Sequence, residues 1–465
     1  MYQSRKPQLL EKTKTRRLIS KEIGMERILI AETPSHIGEK VRLKGWVNMR
    51  RDHGKILFLD MRDRSGMVQL VVIPDHEAAY TASKECRNEC VIEVTGVAKL
   101  RPGGAERSNT SGSIEVEVEE LHVLSSPESP LPFEIAEGGL ESLHLDTLLN
   151  NRTFSLRNRK TQGIFRLYSL LLLSYAEALR SRGFLEVKTP RIVNAATEGG
   201  ANFFKIKYFD RDAFLAQSPQ FYKQAGASVF ERVFEIGPVF RAEPHFTTRH
   251  VNEYISLDGE MAFIESVGDV MNELESILFE VFEKIGEKGK EELEQWGATV
   301  PERVPIPRMK LTEALQILEK EYGKKMENGE IDIDPEGERM ICEHVKKEMG
   351  SDFVFLTHYP TAIRPFYTMP SKDPQFTESF DLLFRGLELV TGGQRIHDYQ
   401  KLTESIKRRG MNPEDFSNYL DTFRYGCPPH GGWGWGSERT IQQLLGLPTI
   451  KQAVLFPRDV KRLTP

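Results

Sequence analysis

A glycine-rich segment near the C-terminus, Gly432–Arg439 (GWGWGSER), has residue types that suit nucleotide binding. Glycine at alternate positions of a strand lets a flat base and a polyphosphate come close to the backbone. Arg439 would lie at the start of the following helix, where its guanidinium can bind a phosphate. The chain contains no GxxxxGK(S/T) sequence and no GxGxxG turn between a strand and a helix. Neither a P-loop nor a Rossmann nucleotide site is therefore predicted.

Two earlier segments accompany this one in a fixed order. The first is a predicted helix over Thr161–Arg182, followed by a short strand that leads into Pro190. The second is Phe240–Glu243 (FRAE), with Arg249 and His250 a few residues beyond it. Each segment alone is weak evidence, because glycine-rich strands and single histidines are often structural. Together, in this order and spacing, they strongly favour an ATP site.

The elements that must position these residues fall into two regions. The first, between Lys40 and Val123, consists of short β runs separated by Gly and Asp. Five strands in fewer than a hundred residues predict a small barrel, and an OB-fold fits the count. The predicted strands are Val41–Val47, Ile56–Met61, Met67–Ile73, Val91–Leu100 and Ile114–Val123. A Pro- and Ser-rich linker, Ser125–Pro132, marks the end of this region.

The second region, after Asp146, mixes helical patterns and short strands without βαβ units. This arrangement predicts an α+β domain with a largely antiparallel sheet flanked by helices. The interval from Phe263 to Asp352 indicates a helix followed by a Pro-rich loop, and it is too short for a further domain. The other predicted elements include the strands Arg232–Phe240, Ile255–Phe263, Phe353–Leu356, Ala362–Met369 and Ser379–Val390, the helix Val267–Ile285, and a final helix from Ser437.

Composition limits the class of protein. The net charge is −5, so any RNA-binding surface must be local rather than spread over the whole chain. Four cysteines do not form a disulfide framework, and reduced thiols in the cytoplasm are expected. The apolar run Leu170–Leu173 is too short to span a membrane, and no secretory signal is recognisable. The basic stretch Met1–Gly24 is interpreted as a solvated arm, as sequence upstream of a start at Met25, or as an arm that touches RNA.

The three segments resemble motifs 1, 2 and 3 of the class II aminoacyl-tRNA synthetases. With the N-terminal barrel, the chain after Met25 is similar to the class IIb subgroup, and most closely to aspartyl enzymes of the archaeal and eukaryotic type. The matching stretches are Ala196–Gly200 (ATEGG), Gln217–Gln224 (QSPQFYKQ), Phe234–His250 (FEIGPVFRAEPHFTTRH), Arg364–Pro370 (RPFYTMP), Arg385–His397 (RGLELVTGGQRIH) and Phe456–Pro465 (FPRDVKRLTP).

The resemblance implies an ATP site with Mg²⁺. Arg241 would hold the α-phosphate and Glu243 the adenine edge, while His250 and Arg439 would hold the γ-phosphate of a bent ATP. Glu388 would ligate Mg²⁺. Thr391 stands where the family has Ser, and its hydroxyl keeps the oxygen ligand that a hard cation prefers. Arg241 and Arg439 would be catalytic, because activation of a carboxylate requires two anions to be positioned and developing charge to be neutralised.

The same resemblance assigns the amino-acid pocket. Lys223 and Arg395 would bind the side-chain carboxylate of aspartate, and Glu198 with Gln220 would bind its α-ammonium group. Asparaginyl enzymes lack the lysine, because an amide has no charge to pair. A buried lysine opposite a neutral amide costs on the order of several kcal/mol, which favours aspartate as the substrate. Alternatively, Lys223 is a lysine on a helix surface.

The barrel would read the anticodon of tRNA(Asp). Arg51, Phe58 and Gln69 have the spacing of the class IIb anticodon reader, with Phe58 stacking on the central base and Gln69 bonding its edge. Alternatively, Phe58 belongs to the barrel core. Enzymes strict for tRNA(Asp) tend to carry Trp at the position of Asn48 and Lys near Ala105. Both departures favour a synthetase that also charges tRNA(Asn).

The resemblance also implies an organisation and an assembly. The implied organisation of the chain is a basic extension (1–25), an OB-fold anticodon-binding domain (26–125), a linker (126–150) and a class II catalytic domain (151–465). A cytoplasmic homodimer is expected, with Pro190 near the interface.

Three alternatives remain open. The first is an asparaginyl-tRNA synthetase, against which Lys223 argues. The second is a free-standing asparagine synthetase on the same catalytic fold, which would have no use for the barrel. The third is a non-catalytic RNA-binding paralogue, which would be expected to lose Arg241, Glu388 or Arg439.

Overall fold

The computed structural model describes residues 25–102, 113–135, 140, 142–194, 203–244, 247–324 and 331–464. The chain divides into two compact units, Met1–Ala136 and Glu137–Pro465. This division falls inside the predicted linker, 126–150. The exact bounds of the predicted extension, barrel domain, linker and catalytic domain stay predictions. Glu198, Ala105 and the basic extension up to Gly24 lie outside the described residues.

The first unit contains a closed five-stranded barrel, which confirms the predicted OB-type architecture. Its strands neighbour one another in the order β1-β2-β3-β5-β4; β3 and β5 run parallel, and the other described pairs are antiparallel. The strands are β1 (Lys40–His53), β2 (Ile56–Arg62), β3 (Met67–Val72), β4 (Val91–Leu100) and β5 (Ile114–Ser125). A helix that the sequence analysis missed, α1 (Glu77–Glu85), connects β3 to β4.

The alternation of side chains along β2 decides which residues fill the barrel. Leu57 and Leu59 are buried in its core, whereas Phe58 between them is only half-buried. Successive residues of a strand point to opposite faces. Phe58 therefore lies on the outer face of the barrel and is not part of the core.

The second unit is built on a mixed eight-stranded sheet in the order β12-β13-β14-β15-β16-β11-β10-β6. A three-stranded sheet in the order β7-β9-β8 is formed by the chain between β6 and β10. The strands are β6 (Leu185–Glu186), β7 (Ile192–Val193), β8 (Lys205–Tyr208), β9 (Arg211–Leu215), β10 (Arg232–Phe240), β11 (Glu253–Ala262), β12 (Arg308–Lys310), β13 (Phe353–Thr357), β14 (Ser379–Phe384), β15 (Leu387–Gln394) and β16 (His430–Gly436). Only the pairs β10–β6 and β12–β13 are parallel within the large sheet as described. The predicted antiparallel character is thus confirmed for most of it.

Helices flank this sheet. They are α2 (Leu145–Asn150), α3 (Arg152–Ser155), α4 (Arg159–Ser181), α5 (Gln220–Phe230), α6 (Val267–Lys288), α7 (Lys290–Trp296), α8 (Leu311–Tyr322), α9 (Pro335–Met349), α10 (Tyr399–Arg408), α11 (Ser417–Arg424) and α12 (Ser437–Leu445). Both tryptophans of the glycine-rich strand β16 are buried in the main core. Trp433 donates a hydrogen bond to the Tyr175 hydroxyl on α4 (3.0 Å), and the Trp435 ring meets the Tyr175 ring edge-on. These contacts fix β16 against α4.

Two predicted strands are wrong in detail. The segment Ala362–Met369 forms turns with a single bridge from Thr368 to Arg395, because Pro365 removes a backbone donor and Arg409 binds carbonyl oxygens along the segment. Ser379–Val390 is not one strand but the hairpin β14–β15. It turns at Arg385 and Gly386, whose φ angles are 45° and 91°.

The interval after Phe263 contains more helix than predicted. Besides α6 and α7 it holds β12, α8 and α9, where a Pro-rich loop was expected. Helix α9 has clear local signals, since the Asp334 side chain accepts a hydrogen bond from Gly337 N, Pro335 begins the helix, and Gly350 ends it with φ 72°.

Candidate active site

Three adjacent strands form the floor of a cleft in the second unit. Gly434 of β16 pairs with Asp258 of β11 on one side and with Thr391 of β15 on the other. Most of the predicted small-molecule site lines this cleft. These residues are Gln220, Lys223, Arg241, Glu243, His250, Glu388, Thr391, Arg395 and Arg439. Residues from motif segments far apart in sequence therefore meet in one place.

Gly432 marks a close approach between strands. A Cβ atom there would lie 2.1 Å from the Gly259 carbonyl oxygen and 2.3 Å from Glu260 Oε2. Neither distance is compatible with an alanine side chain. At Gly434 the nearest atom would be Asp258 Oδ1 at 3.4 Å, which is ordinary contact. Position 432 of the strand therefore requires glycine, because any side chain there would clash with β11.

We expect Gly432→Ala to lower the free energy of unfolding by about 1–3 kcal/mol, since added volume in a packed core forces strained side chains and backbone shifts. Thermal and urea unfolding measure this effect. Gly434→Ala on the same strand is the matched control and should change stability much less. Equal stability of the two variants would contradict a steric requirement for glycine at position 432.

A four-residue charge cluster occupies one end of the cleft. Lys223 Nζ lies 3.1 Å from Asp258 Oδ1 and 3.4 Å from Glu260 Oε2, and it donates to the Trp433 carbonyl oxygen at 2.8 Å. Arg395 donates to Glu260 through Nε (3.0 Å) and Nη2 (3.4 Å). The structure thus contradicts the interpretation of Lys223 as a surface lysine, since only 3% of the residue is exposed.

Glu260 is fully buried beneath the two cations. Burial alone would raise the pKa of its carboxyl, but Arg395 and Lys223 overcome this effect and the pKa lies below its ordinary value. Glu260 therefore stays ionised and holds both cations in place. Asp258, in contrast, lines the cleft itself.

Helix α5 supplies both Gln220 and Lys223 to this end of the cleft. Gln220 is buried, and among the described residues its Nε2 atom has no hydrogen-bond acceptor. Behind it, Gln224 bonds His430 Nε2 at 2.9 Å and accepts from the Tyr419 hydroxyl at 2.9 Å. Buried polar groups are normally paired, so the Gln220 donor is available for a polar ligand.

Arg241 lines the cleft just after the end of β10. Its backbone is fixed by Asn252, whose side chain donates to the Arg241 carbonyl oxygen at 2.6 Å. The guanidinium lies 5.6 Å from the Tyr254 ring centre and 3.8 Å from Glu243. Glu243 in turn lies 3.5 Å from His250 Nε2. The FRAE segment and His250 are therefore one connected group.

The far end of the cleft combines two carboxylates, one hydroxyl and two arginines. Arg439 Nη1 donates to the Glu388 carbonyl oxygen at 2.9 Å and lies 3.5 Å from its carboxylate. Arg364 donates to Thr391 Oγ1 at 3.0 Å and to Asp381 at 2.7 Å. Burial, together with the charge of Asp381, raises the pKa of Glu388 despite the nearby arginines. The carboxylates of Glu388 and Asp381 repel each other, and a bound cation would reduce this repulsion.

A further ion pair joins this end of the cleft to α9. Arg249, which lines the cleft, donates to the Glu338 carboxylate and to the Gly386 carbonyl oxygen. Burial raises the pKa of Glu338 to about 7, against the lowering effect of Arg249.

The predicted anticodon residues lie together on the barrel. Arg51 donates to Asp60 at 2.7 Å and to Gln69 Oε1 at 3.4 Å. The Phe58 ring lies 5.6 Å from that of His53 in an edge-on contact. β1, β2 and β3 are neighbouring strands, and this adjacency brings Arg51, Phe58 and Gln69 to one surface.

Asn48, the predicted discrimination residue, is held by a neighbouring arginine. Its side-chain oxygen accepts from Arg62 Nη1 at 3.3 Å, and Arg62 also forms a two-pronged pair with the buried Glu89 at 2.6 Å. The amide nitrogen of Asn48 is therefore turned away from the arginine. Ala105, its predicted partner, lies outside the described residues.

Several cleft residues were not anticipated from the sequence. Those that line the cleft are Asp258, Arg364 and Arg249, and the carboxylates that contact cleft residues from outside it are Glu260, Asp381 and Glu338. Acidic residues inside the otherwise apolar strand Glu253–Ala262 were a usable signal, because buried carboxylates require partners. Within the described residues no group of three or more His, Cys, Asp or Glu side chains could hold a metal ion by itself. The described helices also include none with the length and apolar character needed to cross a membrane.

A family model for class II tRNA synthetases (D, K and N) matches residues 144–460. The chain belongs to the class II tRNA synthetases. A second model, for the OB-fold nucleic acid binding domain, matches residues 41–124 of this synthetase. The two matches account for the cleft and for the barrel separately.

Individual relatives cover the synthetase almost completely. It is 47% identical over 444 residues to the aspartate–tRNA(Asp/Asn) ligase of Aeropyrum pernix, covering 94% of this chain and 98% of that one. It is 42% identical over 435 residues to the aspartate–tRNA(Asp) ligase of Pyrococcus horikoshii, covering 92% and 97%. Among solved structures, asparaginyl-tRNA synthetase from Pyrococcus horikoshii complexed with asparaginyl-adenylate is similar with a TM-score of 0.85 and 34% identity, covering 95% and 100%.

Proposed function

We propose that this synthetase is an aspartate–tRNA ligase. It activates L-aspartate with ATP and transfers the aspartyl group to the 3′-terminal adenosine of tRNA(Asp). The observation that carries the proposal is the position of Lys223 and Arg395, two buried cations, in the same cleft as Arg241 and Arg439. The two aspartate ligases reported above, which cover nearly the full length of the chain, support it.

The reaction has two steps. In the first, the α-carboxylate oxygen of aspartate attacks the α-phosphorus of ATP, and the bond to pyrophosphate breaks. Arg241 is placed to neutralise charge that develops on the α-phosphate, while His250 and Arg439 bind the leaving pyrophosphate. In the second step, a ribose hydroxyl of the terminal adenosine attacks the aspartyl carbonyl carbon and AMP leaves.

Aspartate recognition depends on the charge cluster. The side-chain carboxylate binds Lys223 and Arg395, whose positions are fixed from below by Glu260. The α-ammonium group is bound by Asp258, with Glu198 and the side-chain oxygen of Gln220 also proposed for this role. Charge-assisted hydrogen bonds of this kind are the strong ones in a desolvated pocket.

Magnesium fits the far end of the cleft. Glu388, Thr391 and Asp381 offer oxygen atoms, and magnesium typically binds one or two carboxylates together with substrate phosphates rather than a cage made only by protein. The lack of a complete ligand cluster in the described residues is consistent with such a site. When bound, the ion would neutralise phosphate charge next to Arg439.

An asparaginyl-tRNA synthetase is the second candidate, because a solved enzyme of that type has the same fold. Its substrate side chain is a neutral amide, which would bring Lys223 and Arg395 no anion beyond the Asp258 and Glu260 carboxylates that already pair with them. An aspartate side chain, in contrast, would form charge-assisted hydrogen bonds with both cations. This chemistry favours aspartate.

Pyrophosphate exchange into ATP tests the choice between the two amino acids. We expect exchange that depends on aspartate, with asparagine at least about a hundredfold less effective. Exchange with asparagine alone would refute the proposed function.

The range of tRNA substrates follows from the barrel. We propose that the enzyme charges tRNA(Asn) as well as tRNA(Asp), because Asn48 replaces a bulky aromatic side chain at the discrimination position. The Aeropyrum pernix relative carries both tRNAs in its name. Charging of purified tRNA(Asn) with aspartate measures this directly, and its absence at high enzyme concentration would contradict it.

We expect Phe58→Ala to raise the KM for tRNA(Asp) by about 5- to 150-fold, since stacking of one base on an aromatic ring is worth roughly 1–3 kcal/mol. Aspartate-dependent pyrophosphate exchange, which needs no tRNA, should not change. Val123→Ala, at an exposed position on β5, serves as the control. A parallel loss of exchange and charging in Phe58→Ala would mean that the residue acts on folding instead.

We also propose a cytoplasmic homodimer. Apolar side chains near the first motif segment are about half exposed in the single chain, namely Leu173 on α4, Leu185 on β6 and Ile192 on β7. A second copy covering these residues, with Pro190 close by, would remove them from water. Light scattering that gives a monomer mass at micromolar concentration would contradict the assembly.

A further inference from the structure

Helix α9 lies outside the three motif segments, yet its Glu338 carboxylate forms an ion pair with Arg249, a residue that lines the cleft. Glu338 stands in its first turn and is 8% exposed. The Asp334 cap and Pro335 fix where this turn begins. The residue next to Glu338, Arg339, packs against Gly386, where an added Cβ would lie 2.9 Å from Arg339 Cγ. The helix is therefore closely fitted to the β14–β15 turn.

The partner of Glu338 is Arg249, which follows the FRAE segment. Arg249 donates to the Glu338 carboxylate and, at 3.1 Å, to the Gly386 carbonyl oxygen. Among the described residues both of these contacts are made by Nη2. A guanidinium has five donors in a rigid plane, so Nε and Nη1 remain to bind a ligand.

The surroundings indicate which ligand that would be. Arg249 lines the same cleft as His250, Arg439 and Glu388. This end of the cleft is the one assigned to the β- and γ-phosphates. An arginine whose outer edge is fixed by a carboxylate and a carbonyl presents its inner edge in one orientation, which saves the entropy of ordering a long side chain on binding.

We propose that Glu338 is a positioning residue for ATP: through its ion pair it orients Arg249 toward the pyrophosphate end of the nucleotide. This inference rests on the proposed ATP site but not on which amino acid is activated. Glu338 acts through Arg249 and does not itself touch the substrate. The negative charge of the carboxylate would otherwise oppose phosphate binding, so its contribution depends on Arg249 being present.

Direct ATP binding by titration calorimetry, with Mg²⁺ and without amino acid, tests the inference. For Glu338→Gln we expect the Kd for ATP to rise about tenfold, a loss typical when an outer partner that orients a binding side chain is removed. In pyrophosphate exchange the KM for ATP should rise similarly, while kcat and the KM for aspartate stay within about twofold. Glu336→Gln is the matched control, because this exposed residue of the same turn pairs with Lys324.

A double-mutant cycle separates this role from a merely structural one. We expect Glu338→Gln to weaken ATP binding in the wild-type background and to have little or no further effect in the Arg249→Ala background. Equal losses in both backgrounds, or a normal Kd for ATP in Glu338→Gln, would overturn the proposal. A variant with lowered thermal stability but unchanged Kd also overturns it. If exchange proves specific for asparagine while the Kd changes as expected, the proposed substrate fails and this inference stands.

Discussion

Lys223→Met is expected to lower kcat/KM for aspartate by about a thousandfold. Methionine keeps much of the shape of lysine but removes its charge. The cluster would then hold one cation, Arg395, against the two carboxylates of Asp258 and Glu260, and it would repel the substrate carboxylate. Aspartate-dependent pyrophosphate exchange measures the loss.

Asparagine is the informative comparison for this variant. Because its amide is neutral, its kcat/KM should change far less than that of aspartate, so the preference between the two amino acids narrows. Lys205→Met, at an exposed lysine on β8, is the control and should behave as wild type. Retained aspartate preference in Lys223→Met would remove the main support for aspartate as the substrate.

Arg241→Ala is expected to lower kcat by about a hundred- to a thousandfold, the range observed when one donor that stabilises transition-state charge is lost. The KM for ATP should change much less, because His250 and Arg439, the other residues proposed to bind phosphate, remain in the cleft. The backbone at this position is fixed by Asn252, so removal of the side chain should leave the cleft intact.

Single-turnover measurements of adenylate formation isolate this effect from product release. Arg211→Ala, at an exposed position on β9, controls for the loss of an arginine from the same unit. Arg241→Lys should recover only part of the rate, because an ammonium group cannot make a two-pronged contact. A large rise in the KM for ATP with unchanged kcat would assign Arg241 to ground-state binding instead.

The barrel was predictable because its signals are local. Alternating apolar residues define β2, and the five runs separated by Gly and Asp gave both the count and the fold. The bounds of β4 and β10 agree with those predicted. Arg232–Phe240 was recognisable for the same reason, since most of its residues are apolar and buried.

Other elements depend on distant parts of the chain. Ala362–Met369 is rich in residues that favour strands, but its carbonyl oxygens at Ala362 and Arg364 are bound by Arg409, more than forty residues away. No local pattern reveals that contact. Helix α9 was hidden because nearly half of its residues are charged, so only a narrow apolar stripe faces the core. Helix α8 has a clearer apolar pattern, with Leu311, Ala314 and Leu318 on its buried face, and it could have been predicted.

The active site shows the same division. Its cations Lys223, Arg241, Arg395 and Arg439 were assigned from the sequence because they stand in stretches that resemble the class II synthetases, and the structure places them in one cleft. The carboxylates that hold them were not. Glu260 meets Arg395 across 135 residues, and Glu338 meets Arg249 across 89. Pairing of this kind is decided by strand order and helix docking, which sequence periodicity does not contain.

Glu260 has a consequence for how such an enzyme can change during evolution. Because one buried carboxylate contacts both Lys223 and Arg395, loss of either cation leaves it partly uncompensated, at a cost of roughly 3–5 kcal/mol when a buried pair is broken. A lineage that drifts toward a neutral substrate would pass through an unstable intermediate unless Glu260 changed at nearly the same time. The carboxylate therefore makes the preference for an acidic substrate resistant to single substitutions.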